Sequence, residues 1–441
     1  MIEKYLVKKI TEPVDWKVTV PGSKSMTNRA LLMAVLSAGT VRVEGVLFSD
    51  DSRHFLACLV ALGFTVEIEE EKKCVTVTGC GGRIPREEAV IDVGSAGTAA
   101  RFLAAMLGFS DGCYEIRCSA QMKRRPMAEL FDLLSGAGAK ITFLEEEGHL
   151  PVRITGCRYA RADKTAGETP RELSLDITKS TQFLSALLLI APMVPEGMKI
   201  HITSEKTDGS YIRITRRMMQ EFGVSVAFDG RDYEVPCRSS YRKETYMVEP
   251  DMSAACYFYA AAAVTGGRAL VRHVHMDNTQ GDLRFLEVLE HMGCTADDTP
   301  EGILVTGPAD GALRGITVNM NDFSDQALTL AAIAPFADAP VRIEGIGHIR
   351  GQECDRIHAI QTNLTALGIR CEEEETAATI YPGSPHGGSV ETYDDHRVAM
   401  AFSLVGLRTD GIVIENPACC RKTFENYFTV LSELTGKKTE A

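Results

Sequence analysis

Six segments of the chain share one form, a run of residues with a helical hydrophobic period that ends at a glycine. A glycine at this place is typical of a helix C-terminus, because it adopts the left-handed conformation without strain. The closing residues are Gly63, Gly138, Gly223, Gly293, Gly368 and Gly436. Their spacing runs from 68 residues (Gly368 to Gly436) to 85 residues (Gly138 to Gly223). A solenoid repeat spans only about 20–50 residues, so each repeat here must be a larger module.

A second set of six helices, more uniformly apolar, interleaves with the first set. A helix that is apolar on all sides is normally buried. Short Val-, Ile- and Thr-rich runs between the helices predict strands. We therefore predict an α/β (α+β) fold built from six copies of a module with two helices and several strands. The predicted buried helices begin at Arg29, Gly97, Gln182, Ser253, Gln326 and His396.

Three modules per domain give two domains of similar size. We place the first domain at residues 21–245, and we form the second from residues 1–20 together with residues 246–441. A polar stretch before Tyr246 marks the division. The strand predicted at Tyr5–Ile10 could belong to either domain. Ligands often bind at domain interfaces, so the active site is expected in the interdomain cleft.

The composition excludes several classes of protein. The chain has 441 residues, a net charge of −13, 45% hydrophobic residues and 24% charged residues, which is typical of a globular protein and not of disorder or collagen. Its longest apolar stretch, Phe183–Val194, is too short for a membrane span, and its N-terminus lacks a signal-peptide pattern. Thirteen cysteines without a CxxC pair favour reduced thiols. We expect a cytoplasmic monomer that binds neither membrane nor nucleic acid.

Basic residues are concentrated where the buried helices begin. The helix dipole favours anions at a first turn, so cations there need another explanation. Ser, Thr and Asp at the same places could simply cap the helices. Free amides, hydroxyls and cations together predict a site for phosphate or carboxylate groups. Because the net charge is acidic, we expect small anionic metabolites and not polyanions. The cations in or beside a first turn are Lys24, Arg29, Arg101, Lys179 and Arg397.

No metal or cofactor site is predicted. The sequence contains no Walker A pattern. His273 and His275 alternate on a predicted strand without a third ligand nearby in the sequence. Arg397, beside Asp394-Asp395-His396, is unfavourable for a cation at that place.

Eight motifs follow one another along nearly the whole chain. They are PGSKSMTNRALL at Pro21, GSAGTAARF at Gly94, RRPM at Arg124, STQFLSALL at Ser180, SDQALT at Ser324, QECDRI at Gln352, DDHRVAM at Asp394 and RKTF at Arg421. In these motifs the chain resembles the 5-enolpyruvylshikimate-3-phosphate synthase (3-phosphoshikimate 1-carboxyvinyltransferase) family. The resemblance implies the enolpyruvyl transferase fold, with two domains of three βαβαββ-type modules each.

The same resemblance implies a reaction without a cofactor. The enolpyruvyl group of phosphoenolpyruvate would be transferred to the 5-hydroxyl of 3-phosphoshikimate and phosphate released, a step toward chorismate and the aromatic amino acids. Such chemistry needs a base for the hydroxyl proton and an acid for the methylene carbon. By motif, the base would be Asp325 and the acid Glu353, with Lys24 as a further catalytic group.

The resemblance also implies a set of binding residues. Cations for phosphoenolpyruvate would be Lys24, Arg125, Arg356, Arg397 and Lys422, with Gly97 packed against that substrate and Gln182 between the two ligands. Contacts to 3-phosphoshikimate would be Ser25, Arg29, Ser180, Thr181 and Tyr211. Because these residues come from both halves of the chain, ligand binding is expected to close the domains.

Four positions depart from the pattern usual in the family. Gln352 stands where Lys is common and His348 where Asn is common, and both positions usually contact 3-phosphoshikimate. Asp208 replaces a phosphate-binding Ser, for which Ser210 or Ser204 could substitute, and Ser95 replaces an Asn. We expect activity with weaker 3-phosphoshikimate binding. Gly97, where a larger residue would crowd the inhibitor glyphosate, predicts sensitivity to it.

Two alternatives stay open. A sister enolpyruvyl transferase acts on UDP-N-acetylglucosamine, but its first loop resembles GGKNAAL, and the position of its reactive Cys is Ala120 in this chain. A non-catalytic anion-binding relative is the second alternative. The presence of Asp325, Glu353 and the cations favours an enzyme.

Overall fold

The computed structural model describes residues 4–157, 169–178, 180–309 and 312–436. The chain divides into two units, each with its own hydrophobic core. The first unit is Gly22–Glu249, and the second unit combines Met1–Pro21 with Pro250–Ala441. Lys179, one of the predicted first-turn cations, lies outside the described residues.

The first unit contains three four-stranded sheets of one design. Its strands are β3 (Thr40–Glu44), β4 (Thr65–Glu69), β5 (Cys74–Thr78), β6 (Glu88–Asp92), β7 (Cys113–Arg117), β8 (Lys140–Phe143), β9 (Val152–Thr155), β10 (Arg171–Leu175), β11 (Met198–Ile202), β12 (Ala227–Phe228), β13 (Asp232–Val235) and β14 (Thr245–Met247). The sheet orders are β14-β3-β5-β4, β6-β7-β9-β8 and β10-β11-β13-β12. In each sheet the first two strands are parallel and the others antiparallel.

The pairing of strand β14 places the division between the units later in the sequence than predicted. This strand pairs in parallel with β3, with Thr245 opposite Arg42. This pairing makes β14 part of the first unit, so the unit ends at Glu249 and not at the predicted residue 245. The other division lies after Pro21, one residue beyond the predicted residue 20.

The second unit repeats the design with one variation. Its strands are β1 (Lys4–Leu6), β2 (Asp15–Val18), β15 (Arg268–Arg272), β16 (Thr295–Thr299), β17 (Gly302–Thr306), β18 (Thr317–Asn319), β19 (Val341–Glu344), β20 (Cys371–Glu373), β21 (Ala378–Ile380), β22 (Gly388–Val390) and β23 (Ile412–Glu415). The sheet orders are β16-β17-β15-β2, β18-β19-β21-β20 and β1-β23-β22. Among the described residues the last sheet has three strands, because β1 pairs antiparallel with β23 where the other sheets have a hairpin. The N-terminal strand thus belongs to the second unit.

The predicted apolar helices form the interior of each unit. In the first unit they are α1 (Lys24–Leu36), α3 (Gly97–Gly108) and α6 (Thr181–Ile190), and in the second unit α8 (Met252–Thr265), α10 (Ala327–Ile333) and α12 (His396–Arg408). Every residue of α3 is buried, and α3 contacts α6 and α1. Helix α12 contacts α8 and α10 in the same way. Burial on all sides explains why these sequences are apolar on all sides.

The outer helices bury only one face each. They are α2 (Asp50–Ala61), α4 (Ala120–Lys123), α5 (Ala128–Gly136), α7 (Ser210–Glu221), α9 (Phe285–His291), α11 (Arg356–Ala366) and α13 (Tyr427–Gly436). The predicted glycine termini have left-handed φ angles of 83° to 106° at Gly63, Gly138, Gly223, Gly293 and Gly368. Gly436 is the last residue of α13, at the end of the described part of the chain.

Hydrogen bonds fasten the chain where it leaves one unit for the other. Ser23 N donates to Glu249 O at 2.8 Å, which joins the two ends of the first unit. Asp251 N donates to Pro21 O at 2.8 Å within the second unit. In the described part of the chain, no helix is long and apolar enough to cross a lipid bilayer. The thirteen cysteines are free in the structure.

Candidate active site

The predicted site residues fall into two sets, one in each unit. The first unit holds Lys24, Ser25, Arg29, Gly97, Arg125, Ser180, Thr181, Gln182 and Tyr211. The second unit holds Asp325, Gln352, Glu353, Arg356, Arg397 and Lys422. In both units most of these residues lie where a buried helix begins, or in the turn before an outer helix.

Arg29 is a buried cation with neutral partners. Its side chain is 1% exposed, and its guanidinium donates to the hydroxyl of Thr215 (2.8 Å) and to the carbonyl of Ser25 (2.9 Å). Longer hydrogen bonds of 3.3 Å reach the hydroxyl of Ser185 and the carbonyl of Tyr211. Burial lowers the pKa of Arg29 to about 10. Since its donors are committed to the protein, Arg29 would act on a bound anion mainly through its charge.

Lys24 forms an ion pair at the start of α1. Its Nζ lies 3.2 Å from Oδ2 of Asp51, in the first turn of α2, and the two side chains are 15% and 2% exposed. Asp51 lies outside the eight sequence motifs. Asp51 lies two residues after the helix cap Ser49. In the sequence, the helix dipole alone therefore accounts for an acidic residue at this position.

Gly97 permits two guanidinium groups to approach the first turn of α3. A Cβ atom at Gly97 would lie 2.3 Å from Nη1 of Arg125 and 2.7 Å from Nη1 of Arg101. Arg101 Nη1 donates to the carbonyl of Gly97 at 3.0 Å, and its guanidinium lies 5.6 Å from the ring of Phe183. The structure thus places Arg125 and Arg101 beside Gly97.

The start of α6 carries hydroxyl and amide groups. Ser180 caps the helix by accepting a hydrogen bond from Gln182 N at 3.3 Å. Thr181 lies near Gly209, so the start of α6 is beside that of α7, and Tyr211 lies in the first turn of α7. Among the described side chains, Gln182 Oε1 is one of the buried oxygens without a hydrogen-bond partner.

The loop before α7 is held by Asp208. Its carboxylate accepts hydrogen bonds from Arg213 at 3.0 Å and from the hydroxyl of Tyr233 at 3.2 Å. Ser204 donates to the carbonyl of Lys206 at 2.8 Å. Asp208 is therefore a structural partner here and adds negative charge where a phosphate-binding Ser is usual in the pattern.

Arg356 is the centre of the set in the second unit. It is 1% exposed and lies at the start of α11. Its guanidinium contacts Asp395 Oδ2 (2.8 Å), Glu353 Oε2 (2.9 Å) and Asp325 Oδ1 (3.0 Å), and it also donates to the side-chain oxygen of Gln352. Burial lowers the pKa of Arg356, but the three carboxylates outweigh burial and raise that pKa overall.

Two further cations share these carboxylates. Arg397 Nη2 lies 2.9 Å from Asp325 Oδ2, and Lys422 Nζ lies 3.3 Å from Glu353 Oε1. Three cations therefore face the three carboxylates of Asp325, Glu353 and Asp395. We call these six residues the charge cluster. A substrate anion must compete with the carboxylates for the cations, and Asp325 and Glu353 each have two cationic neighbours.

Asp395, Asp282 and His348 complete the surroundings. Asp395 caps α12 by accepting a hydrogen bond from Arg397 N at 2.9 Å. In the sequence, Asp395 stands in the motif DDHRVAM and in a run that is unfavourable for a metal ion, and no motif includes Asp282. His348 Nε2 lies 2.7 Å from the hydroxyl of Ser324, next to Asp325. Within the described ranges, no group of three or more His, Cys, Asp or Glu side chains could hold a metal ion.

The chain is similar to known proteins over nearly its whole length. The family model of EPSP synthase (3-phosphoshikimate 1-carboxyvinyltransferase) matches residues 8–431. A 3-phosphoshikimate 1-carboxyvinyltransferase of Trichormus variabilis is 41% identical over 429 residues, which cover 97% of this chain and 98% of the relative. The structure of EPSP synthase from Acinetobacter baumannii is similar with a TM-score of 0.78 and 25% identity, and covers 98% of this chain and 97% of that one.

A more distantly related enzyme has a similar fold. The enolpyruvyl transferase NikO from Streptomyces tendae has a TM-score of 0.72 at 17% identity, with 98% of this chain and 97% of that chain covered, a likeness that shows the fold alone. The match to the family model and the 41% identity show which family the chain belongs to. The chain belongs to the EPSP synthase (3-phosphoshikimate 1-carboxyvinyltransferase) family.

Proposed function

We propose that the protein transfers the enolpyruvyl group of phosphoenolpyruvate to the 5-hydroxyl of 3-phosphoshikimate and releases phosphate. The observation that carries this proposal is the charge cluster, in which the two carboxyl groups Asp325 and Glu353 flank the buried guanidinium of Arg356 at 3.0 Å and 2.9 Å. One carboxyl group accepts a proton and the other donates one, and the cations receive the substrate anion.

The steps follow from the chemistry of the two substrates. Glu353 donates a proton to the methylene carbon, so positive charge develops on the neighbouring carbon of the enol phosphate. The 5-hydroxyl attacks that carbon while Asp325 accepts its proton. The Glu353 carboxylate then takes a proton back from the new methyl group as the C–O bond to phosphate breaks, which restores the double bond. Arg356, Arg397 and Lys422 stabilise the negative charge on the departing phosphate better than mobile water does.

The first unit supplies the proposed binding groups for the acceptor. Ser25, Ser180, Thr181 and Tyr211 offer hydroxyls, and Arg29 offers charge. For phosphoenolpyruvate, Lys24 and Arg125 add cations, and Gln182 offers an amide. The reaction then needs residues of both units, and a variant in either set should lower turnover.

Phosphate release from the purified protein tests the proposal. The assay compares 3-phosphoshikimate, UDP-N-acetylglucosamine and no acceptor in the presence of phosphoenolpyruvate, with Asp325→Asn as the matched variant. We expect release with 3-phosphoshikimate only, lowered about 100- to 10,000-fold in Asp325→Asn because a general base contributes that much. Release with UDP-N-acetylglucosamine instead would reassign the acceptor. Ligand binding without release for any acceptor would support the non-catalytic alternative.

A further inference from the structure

Asp282 is a buried carboxylate that the proposed reaction does not use. It lies in the turn Gly281–Arg284 before α9, and its side chain is 6% exposed. Two donors converge on its Oδ2 atom, the hydroxyl of Ser253 and Nε2 of Gln326 at 2.9 Å. Ser253 lies in the first turn of α8, and Gln326 directly follows Asp325. Asp282 therefore links the start of α8 to the turn that carries the proposed base.

A second route joins Asp282 to the same base. Arg397 Nη2 donates to the hydroxyl of Ser253 at 3.5 Å and to Asp325 Oδ2 at 2.9 Å. On the far side, the hydroxyl of Thr329 donates to Oε1 of Gln326 at 3.0 Å, which fixes the amide with its Nε2 toward Asp282. Both the arginine and the backbone of Asp325 are thus oriented through groups that bind Asp282.

Several charged and titratable groups face Asp282. They are Cys256 of α8, Asp325 in the turn before α10 and Arg397 of α12. On its own turn Arg284 lies 3.7 Å from Glu287 and 3.8 Å from Asp322. Burial and then the charge of Asp325 raise the pKa of Asp282 to about 6, against the lowering effects of Arg397, Ser253 and Gln326.

The effect of one carboxylate on the other is reciprocal. If the charge of Asp325 raises the pKa of Asp282, ionised Asp282 raises the proton affinity of Asp325 by the same interaction energy. This opposes Arg356 and Arg397, whose contacts at 3.0 Å and 2.9 Å make Asp325 a weaker base. A base works best when its pKa lies near the working pH.

We propose that Asp282 is a positioning residue for the transfer reaction: it orients Arg397 and Asp325 through Ser253 and Gln326, and its negative charge keeps Asp325 a stronger base than its two arginine partners alone would permit. The inference rests on the proposed function, in which Asp325 is the base for the acceptor hydroxyl.

The pH dependence of kcat for phosphate release tests the role of the charge. Asp282→Asn keeps the shape of the side chain and removes the charge. We expect the acid-side midpoint to move about one pH unit lower and the plateau to fall about three- to tenfold, with both KM values nearly unchanged. Ser253→Ala is the matched control, since it removes a hydrogen bond and keeps the carboxylate. Its acid-side midpoint should not move lower, because the loss of the Ser253 hydroxyl removes an effect that lowers the pKa of Asp282. An unmoved midpoint in Asp282→Asn, or an effect on KM alone, contradicts the proposal.

A titration without turnover separates this inference from the proposed function. In protein labelled with ¹³C at the aspartate carboxyl carbons, the Asp282 signal is identified by its loss in Asp282→Asn. Its pKa should fall in Asp325→Asn, because the neighbouring charge is gone. An unchanged pKa overturns the coupling whether or not the wild type releases phosphate. If the wild type releases none with any acceptor while the pKa falls, the proposed function fails and the coupling of the two carboxyls stands.

Discussion

In the first unit the buried guanidinium of Arg29 donates to hydroxyl and carbonyl oxygens, whereas in the second unit the buried guanidinium of Arg356 lies among three carboxylates. Both arginines are 1% exposed. The opposite pKa directions of the two groups follow from this difference, since burial lowers the pKa of Arg29 and the carboxylates raise that of Arg356. Neutral partners leave the charge of Arg29 available to attract an anion.

The comparison suggests a division of labour between similar units. The set in the first unit has hydroxyls, amides and cations, which suits the binding of phosphate groups. The charge cluster balances cations against carboxylates, so proton transfer is possible beside a bound anion. The charge cluster also makes the fold sensitive to substitution, because a buried ion pair that loses one partner leaves an uncompensated charge.

Replacing each arginine by Met should show the largest difference. Arg356→Met leaves three carboxylates without their shared partner, so we expect a loss of about 3–5 kcal/mol in the free energy of unfolding at pH 8. Phosphate release should fall about 100- to 1000-fold. Arg29→Met leaves only neutral groups unpaired and should cost about 1–3 kcal/mol. Chemical denaturation of both variants measures these values.

The pH dependence sharpens the same comparison. In Arg356→Met, protonation of a carboxylate relieves the repulsion, so its stability loss relative to the wild type should shrink as the pH falls toward 5. In Arg29→Met no carboxylate is exposed to a new charge, and its loss should be constant between pH 5 and 8. Equal pH dependence in the two variants would show that groups other than Arg356 balance the negative charge of the carboxylates.

Asp282 should give the next largest effect on stability. Its pKa lies at about 6 in the folded protein, above the ordinary value of 3.8, so the folded state binds this proton more tightly than the unfolded state. The carboxyl therefore favours folding below pH 4, and this contribution is lost as the pH rises to about 6. At pH 7.5 Asp282→Asn should be more stable than the wild type by up to about 3 kcal/mol.

Thermal or chemical unfolding at pH 7.5 and at pH 4 checks this prediction. The advantage of Asp282→Asn should disappear at the lower pH, where the wild-type carboxyl is protonated. A variant less stable than the wild type at both values would show that the hydrogen bonds of the carboxylate, and not its charge, dominate its effect on folding.

A methyl group at Gly97 tests the set in the first unit. In Gly97→Ala the new Cβ atom would meet the guanidinium groups of Arg125 and Arg101. We expect the KM for phosphoenolpyruvate to rise about tenfold and inhibition by glyphosate to weaken at least as much, because moving two cations costs roughly 1–2 kcal/mol of binding. Gly136→Ala is the matched control, since a Cβ there meets no atom within 4 Å. A wild type fully active in millimolar glyphosate would contradict the expected sensitivity.

The smallest expected effect concerns Gln352. In the present sequence its side-chain oxygen is occupied by Arg356. Gln352→Lys removes this acceptor and adds a cation, which should lower the KM for 3-phosphoshikimate about two- to fivefold, the range of a partly exposed ion pair. Steady-state kinetics with phosphoenolpyruvate saturating measure it. An unchanged or higher KM would mean that the Gln at this position does not weaken acceptor binding.

The regular part of this fold could be predicted because its cause is local. Helices such as α3 and α12 are apolar on all sides, and the glycines after α2, α5, α7, α9 and α11 end them in the left-handed conformation. The pairing of strands from distant parts of the chain could not be predicted. β14 pairs with β3 and β1 pairs with β23 through backbone hydrogen bonds. The order of side chains in the sequence does not indicate which strands pair in this way.

The site shows the same limit. The motifs named Asp325, Glu353 and Arg356, which the structure places in contact. The roles of Asp51, Asp282 and Asp395 as partners of other side chains could not be predicted, because each lies in or beside a helix first turn, where an acidic residue is already explained by the helix dipole. Their second role depends on partners 27 to 44 residues away along the chain, such as Lys24 for Asp51 and Gln326 for Asp282.

The hydrogen bond between Ser23 N and Glu249 O has a consequence for how this chain can be cut and rejoined. A unit whose ends meet can be inserted into another chain, or removed from it, without stretching either. The segment Gly22–Glu249 has its own core, so it is suited to production as a separate polypeptide. The remaining two pieces could be joined by a short linker from Pro21 to Pro250, which would give each unit a gene of its own.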